Sequence, residues 1–194
     1  MADFKSSKTA GNLMKAFAGE SQARMRYTFF AKIAQEEGFP QIGDIFLETA
    51  ENEKVHANLF YKHLVKNMNF NMNHVDADYP VALGKTEQNL EWAANGENEE
   101  WSMLYPQFAK IAEEEGYKTV ATAFKIISKI EKAHEERYRK LYDNLESGKV
   151  FERDGKVVWK CRVCGYLHEG KKPPLNCPAC AHPQAYFELQ TENY

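Results

Sequence analysis

Apolar residues recur at helical spacing through Leu13, Phe17, Met25 and Phe29, and again through Ile45, Ala50, Leu59 and Leu64. That period sets side chains along one side of a helix, and few breakers interrupt it over the first three quarters of the chain. Four helices are predicted, near residues 8–37, 40–67, 85–115 and 117–147. Gly38 and Pro40 divide the first two and Gly116 divides the second two, so each pair reads as an antiparallel hairpin with a short turn. Between the pairs runs NFNMNHVDADYPVALG, at 69–84. This stretch is long enough to carry the chain from one end of a bundle to the other.

The two halves repeat each other. AKIAQEEGF at 31–39 recurs as AKIAEEEGY at 109–117, an offset of 78 that also lays Tyr27 on Tyr105, Glu53 on Glu131 and His56 on His134. GES at 19–21 meets GEN at 96–98 only at an offset of 77. One residue has therefore been added to the third helix, and a π-bulge near Pro106 would absorb it. After Gly148 the pattern changes. FERDGKVVWKCRVCGYLHEGKKPPLNCPACAHPQAYFEL brings a hairpin-like Asp-Gly, alternating Val157 and Trp159, and several glycines and prolines. The expected organisation is a mainly α chain: a four-helix bundle over 1–148, then a small β-rich module over 149–194. A module of about forty residues buries too little apolar surface to fold without support such as a structural metal.

Composition narrows the partners. The chain has 194 residues, 43% of them apolar, and a formal net charge of −3 with Lys and Glu interspersed. A packed core is within reach, and the concentrated basic face of a nucleic-acid binder is missing. The opening MADFKSSKTAGNLMKAF lacks the apolar stretch of an export signal, and no run of about 18 uncharged apolar residues occurs. The expectation is a soluble, cytoplasmic protein with no membrane partner. In that compartment, four cysteines arranged as two C-x-x-C pairs suit a metal better than disulfides.

Two groups carry the candidate chemistry. Glu53 and His56, and Glu131 and His134, are each three apart, a spacing that puts both side chains of a pair on one helix face. Glu20 and Glu97 hold equivalent places in the repeat. The set matches the known ligand pattern of ferritin-like di-iron and di-manganese bundles, one Glu from each of two helices and Glu-x-x-His from each of the others. Two nearby divalent ions need bridging anions, for which Glu53 and Glu131 are suited, and oxygen with imidazole suits iron or manganese. A lone Glu-x-x-His is usually two solvated side chains; its recurrence in register is what carries weight. Glu100, one turn past Glu97, gives the third helix an E-x-x-E and is a candidate seventh ligand. Tyr27 and Tyr105 are candidate hydrogen-bonding supports, or simply core. His63 and His74 have no partner spacing. In the C-terminal module Cys161, Cys164, Cys177 and Cys180 form two tight loops that supply four sulfurs in a tetrahedron. The spacing alone leaves zinc and iron open, with Trp159, Tyr166 and Tyr186 as a small core and His168 and His182 outside the ligand set.

GES around Glu20, ENEKVH at 51–56, GENEEW at 96–101, IEKAH at 130–134, CRVCGY and CPAC together resemble the rubrerythrins, essentially end to end. The resemblance implies a ferritin-like fold with a rubredoxin-like domain and a non-haem di-iron peroxidase that reduces hydrogen peroxide in oxidative-stress defence. It assigns Glu20, Glu53, Glu97, Glu100, Glu131 and His134 to the oxidised iron pair, with Glu100 and His56 exchanging on reduction. It also implies a mononuclear iron on the four cysteines, a homodimer, and an external electron donor, either rubredoxin or an NAD(P)H-dependent reductase. No G-x-G-x-x-G follows a strand, so that reductase is expected on another chain. The segment between the cysteine pairs is short against free rubredoxins, as is usual in the family. Two rival readings remain open: a ferroxidase or iron-storage bundle, for which an attached tetrathiolate is unneeded, and a zinc-ribbon interaction module on a structural bundle.

Overall fold

The computed structural model describes residues 3–68 and 72–192; residues 69–71, where the expected crossover begins, lie outside them. A short turn at Phe4–Ser6 leads into α1 (Lys8–Glu36), which the Ser7 side chain caps by accepting from the Ala10 amide at 3.1 Å. Then follow α2 (Pro40–Met68), α3 (Thr86–Glu99), a π-helical segment (Glu100–Leu104), α4 (Tyr105–Glu114) and α5 (Lys118–Glu146). The third expected helix is thus broken into three. Pro106 has no amide to offer the carbonyl of Ser102, so an unbroken α ladder is impossible there, and the extra residue sits in the π turn just before it.

Both hairpin turns end in the same way. Gly38 and Gly116 each have φ of 87°, a left-handed conformation open to glycine. Around them the amides of Phe39 and Tyr117 reach back to Ala34 and Ala112 at 2.7 Å, which satisfies carbonyls the helix leaves free. The residue before each glycine has a second task. Glu115 accepts from the amides of Lys8 and Thr9 at 3.0 and 2.8 Å and from the Thr9 hydroxyl at 2.6 Å, while Glu37 accepts from the Thr86 amide at 2.9 Å. Each hairpin thereby caps the leading helix of the other. Replacing Glu115 by Gln should destabilise the protein by about 1 kcal/mol near neutrality, the usual scale of an N-cap with a charge at the helix dipole. Burial works against the Glu115 carboxylate, but hydrogen bonds from Thr9 and Lys8 together outweigh it, holding its pKa below the usual range. A lowered folded pKa means stability present above the unfolded value of about 4.3 and lost as pH falls through the folded one. The difference between Glu115→Gln and the parent in urea unfolding should therefore close in acid.

α1 packs on α2, and α3, the π segment and α4 pack on α5. Two apolar clusters fill the bundle. One gathers Leu13, Phe60, Leu64, Phe108, Phe124 and Ile127; the other gathers Phe30, Ile42, Phe46, Leu90 and Tyr138. Phe124 lies 4.9 Å from Phe60 and 5.5 Å from Phe108, centroid to centroid, pairs that add roughly 0.5–1.5 kcal/mol each beyond burial. Met25, Phe29 and Leu59 form part of the predicted apolar stripe yet are exposed, because that face of the α1–α2 hairpin meets no other helix among the described residues.

The C-terminal part is a three-stranded antiparallel sheet in the order β2-β1-β3, built from β1 (Val157–Cys161), β2 (Leu167–Gly170) and β3 (Phe187–Leu189). Trp159 stands opposite His168 on one side and Leu189 on the other, and packs fully buried with Cys161, Cys177 and Phe187. Asp154–Gly155 precedes β1 and joins no two strands; the loop that connects β1 to β2 is the first cysteine pair itself. The sheet is tied to the bundle by Arg162, which reaches both Glu188 and Asp44 of α2, and by a stack of Phe39 on Phe151.

Candidate metal centres

On every long helix the polar donors fall between the two apolar clusters. Glu20 lies between Ala16 and Ala23, Glu53 and His56 between Ala50 and Phe60, Glu97 between Ala94 and Tyr105, and Glu131 and His134 between Ile127 and Tyr138. All six are buried. Their ligand atoms form two groups, Glu20, Glu53, His56 and Glu131, and Glu53, Glu97, Glu131 and His134, each within 4.8 Å. Glu53 and Glu131 belong to both. His56 Nδ1 lies 2.8 Å from Glu53 Oε2 and 2.9 Å from Glu131 Oε1; His134 Nδ1 lies 3.3 Å from Glu53 Oε1 and 2.8 Å from Glu131 Oε2. Each shared carboxylate thus turns one oxygen to each half of the site.

The cluster does not satisfy itself. Although the imidazole nitrogens lie close, Glu20 Oε2, Glu53 Oε1, Glu97 Oε2, both Glu131 oxygens and His134 Nδ1 are buried without a well-directed hydrogen bond. Such groups cost roughly 1–3 kcal/mol apiece, more when charged, unless something else meets them. Burial works against the Glu53 carboxylate, but His134 and His56 outweigh it and bring its pKa to about 2. Burial and then the charge on Glu53 drive Glu97 up to about 8, and burial followed by Glu131 drives Glu20 well upward. Burial disfavours a charged His134, yet Glu131, Glu53 and Glu97 push it to about 12. Four carboxylates at this spacing stay ionised together only around concentrated positive charge. The donor set fits two divalent cations sharing Glu53 and Glu131.

Glu100 stands in neither group. It is half-buried on the π segment, and burial, then the charges on Glu20 and Glu97, push its pKa well up. Its carboxyl borders an open cavity of about 590 Å³ between α1, residues 76–80 and the π segment, lined also by Gly19, Arg26, Tyr79 and Tyr105.

The two tyrosines support the site crosswise. Tyr27 on α1 donates to Glu97 at 2.6 Å, and Tyr105 on α4 donates to Glu20 at 2.5 Å, so each serves the opposite half of the repeat. A buried neutral donor on a carboxylate contributes roughly 1.5–3 kcal/mol. Tyr105→Phe should therefore lower metal affinity by about 10–100-fold with little change in fold, as read by competition with a chelator.

The four cysteines are free thiols whose sulfurs also lie within 4.8 Å of one another, with Cys161 3.8 Å from Cys180 and Cys164 3.6 Å from Cys177. A tetrahedron with metal–sulfur bonds of about 2.3 Å has edges near 3.8 Å. Burial opposes the Cys177 thiolate, but the amides of Ala179 and Cys180 outweigh it and bring that thiol to about 7. The His182 amide favours the Cys180 thiolate, yet burial and the neighbouring sulfurs push it to about 12. The loops are shaped for thiolates, and four of them coexist only around a cation. His63, His74, His168 and His182 enter none of the donor clusters found among the described residues.

Sequence reasoning passed over Glu135, Asn98 and Trp101, which meet beside the site, and Tyr138, fully buried against Tyr27 at 5.5 Å. Glu135 sits in the acidic run after His134, and nothing in that run marks it as the inward one.

A family model described as Rubrerythrin matches residues 11–142, and one described as Rubrerythrin, rubredoxin-like domain matches residues 159–188. Among curated proteins, the chain is 57% identical to Rubrerythrin-1 of Clostridium acetobutylicum and 45% identical to the rubrerythrin of Nitratidesulfovibrio vulgaris, in each case over the whole of both chains. Among solved structures, fully reduced, all-ferrous nigerythrin superposes with a TM-score of 0.64 at 34% identity, covering 94% of this chain and 86% of that one. A bacterioferritin of Desulfovibrio desulfuricans, 20% identical with a TM-score of 0.65, shares the bundle fold over 73% of this chain and 82% of that one.

Proposed function

Because the chain belongs to the rubrerythrin family, we propose that it is a non-haem di-iron peroxidase that reduces hydrogen peroxide to water, fed with electrons by a mononuclear iron on Cys161, Cys164, Cys177 and Cys180. The observation that carries this reading is the coexistence in one chain of a doubly bridged, unsatisfied carboxylate–imidazole cluster and a tetrathiolate pocket. An iron pair in the first, when bound, supplies the two electrons that cleavage of an O–O bond requires.

The residues divide the remaining work. Glu53 and Glu131, shared by both donor groups, would hold two cations, with Glu20 and Glu97 at the two ends and one imidazole, His56 or His134, available to each. Tyr27 and Tyr105 fix the outer carboxylates, which keeps each free oxygen aimed inward. The apolar clusters on both sides keep bulk water out, and the cavity beside Glu100 admits a small solute. His56 stands inside the cluster, while Glu100 lies outside both groups yet within reach of the charges on Glu20 and Glu97, which supports these two as alternating ligands. His56→Ala should then slow peroxide consumption by the reduced protein far more than it weakens the oxidised site; equal loss of both would argue against exchange.

In this reading the protein works in the cytoplasm in oxidative-stress defence and takes electrons from rubredoxin or an NAD(P)H-dependent reductase. The uncovered apolar residues Met25, Phe29, Val55 and Tyr61 favour a homodimer. No helix among the described residues is long and apolar enough to cross a membrane. The test is to mix anaerobically reduced protein with peroxide and, separately, with dioxygen. Rapid oxidation by peroxide and slow oxidation by dioxygen is expected. The reverse order, with many irons retained per chain, would identify a ferroxidase instead.

A further inference from the structure

Glu100 opens a π turn, where the ladder widens so that the Tyr105 amide bonds the Glu100 carbonyl, and contacts from a neighbouring helix can set the direction of that turn. The neighbouring contacts converge on one carboxylate. Glu135 on α5, 6% exposed, follows His134 but turns away from the metal cluster toward α3. It accepts from Asn98 Nδ2 at 3.0 and 3.2 Å, from Trp101 Nε1 at 2.5 Å, and from Arg139 Nε at 2.5 Å. Asn98 and Trp101 lie on either side of Glu100 in the chain. Ser128, also on α5, donates to the Trp101 carbonyl at 3.0 Å, and the Lys132 ammonium lies 5.3 Å from the Trp101 ring centroid.

The first half of the repeat has none of this. Ala57 stands where Glu135 would be, and Ser21 and Arg24 take the places of Asn98 and Trp101. The first helix also has no π turn, and Ala23 stands three residues after Glu20 where Glu100 follows Glu97. The clamp, the inserted residue and the extra carboxylate therefore occur together, on one side of an otherwise repeated site. We infer that Glu135 is a positioning residue, which pins Trp101 and Asn98 to α5 so that the π segment presents Glu100 to the metal cluster. This rests on the reading of the bundle as a di-iron site and adds to it the device that makes its two halves unequal.

Glu135 lies beside a ligand, so a loss in Glu135→Leu alone would be ambiguous. Trp101→Phe removes the same hydrogen bond from the other helix and leaves α5 intact, and Glu135→Gln keeps an oxygen for the indole. Two measurements on the full chain decide the matter: hydrogen exchange at the amides of 100–104 in the metal-free protein, and iron retention against a chelator, followed by the visible absorption of the oxidised bundle. Glu135→Leu and Trp101→Phe should each raise exchange in 100–104 and cost about 10–100-fold in retention of one iron, with most of it restored in Glu135→Gln. Glu100→Gln should cost the same iron while leaving exchange unchanged. Parent-like exchange and retention in both clamp variants, alongside a loss in Glu100→Gln, would overturn the clamp alone. An unaffected Glu100→Gln would remove Glu100 from the site and overturn the premise.

Discussion

In Glu53→Ala, bound iron falls to the amount the four cysteines hold by themselves. Only Glu53 and Glu131 belong to both donor groups, and each faces both histidines. In the proposed site, truncation would remove a ligand from each cation at once and also the anion that screens their repulsion. Glu20 and Glu97 are already driven upward, first by burial, so protons compete better for them. Loss of a single supporting hydrogen bond costs about 10–100-fold in affinity, and loss of a shared ligand must exceed that. Metal analysis of the purified variant, with the tetrathiolate colour as internal reference, reads the result. Two irons still present in the bundle would refute the bridging role. Glu53→Gln keeps the volume and removes the charge, so a similar loss there separates electrostatics from packing.

Cys161→Ser is expected to abolish turnover driven by a reductase while peroxide still oxidises the chemically reduced bundle. Cys161 is fully buried at the end of β1, among Trp159, Cys177 and Phe187. That cluster is too small to hold a sheet whose strands are five, four and three residues long without a metal. Serine binds a soft site poorly, so the variant should lose both the red absorption and protection of the β1 amides. Reductase-linked activity at the parent level would show that electrons reach the bundle by another route. Retained bundle helicity in circular dichroism is the control, because the helices close their own cores.

The sequence exposed what recurs. Helical period, the two glycine turns and the in-register Glu-x-x-His pairs located the helices and the six buried side chains that meet between the apolar clusters, because burial of one helix face imposes a period on the chain. The slip from 78 to 77 located the inserted residue within a few positions of the π turn. Contacts across the bundle stayed hidden. That Tyr27 serves Glu97 and Tyr105 serves Glu20 depends on how helices from different halves face each other, which no local period encodes. The exposed Met25 and Phe29 misled for a related reason: an apolar stripe specifies a covered face but not what covers it. Glu135 was indistinguishable from its solvated neighbours.

Glu37 and Glu115 make each hairpin depend on the other at its ends. A single helical hairpin of this repeat would start with bare amides and end with an idle carboxylate, and it would hold only half the donors. Two identical hairpins would complete each other at both places. The reciprocal caps are those a symmetric pair of hairpins would make, and expressing residues 1–68 and 85–192 as separate chains would reveal whether the halves still find each other.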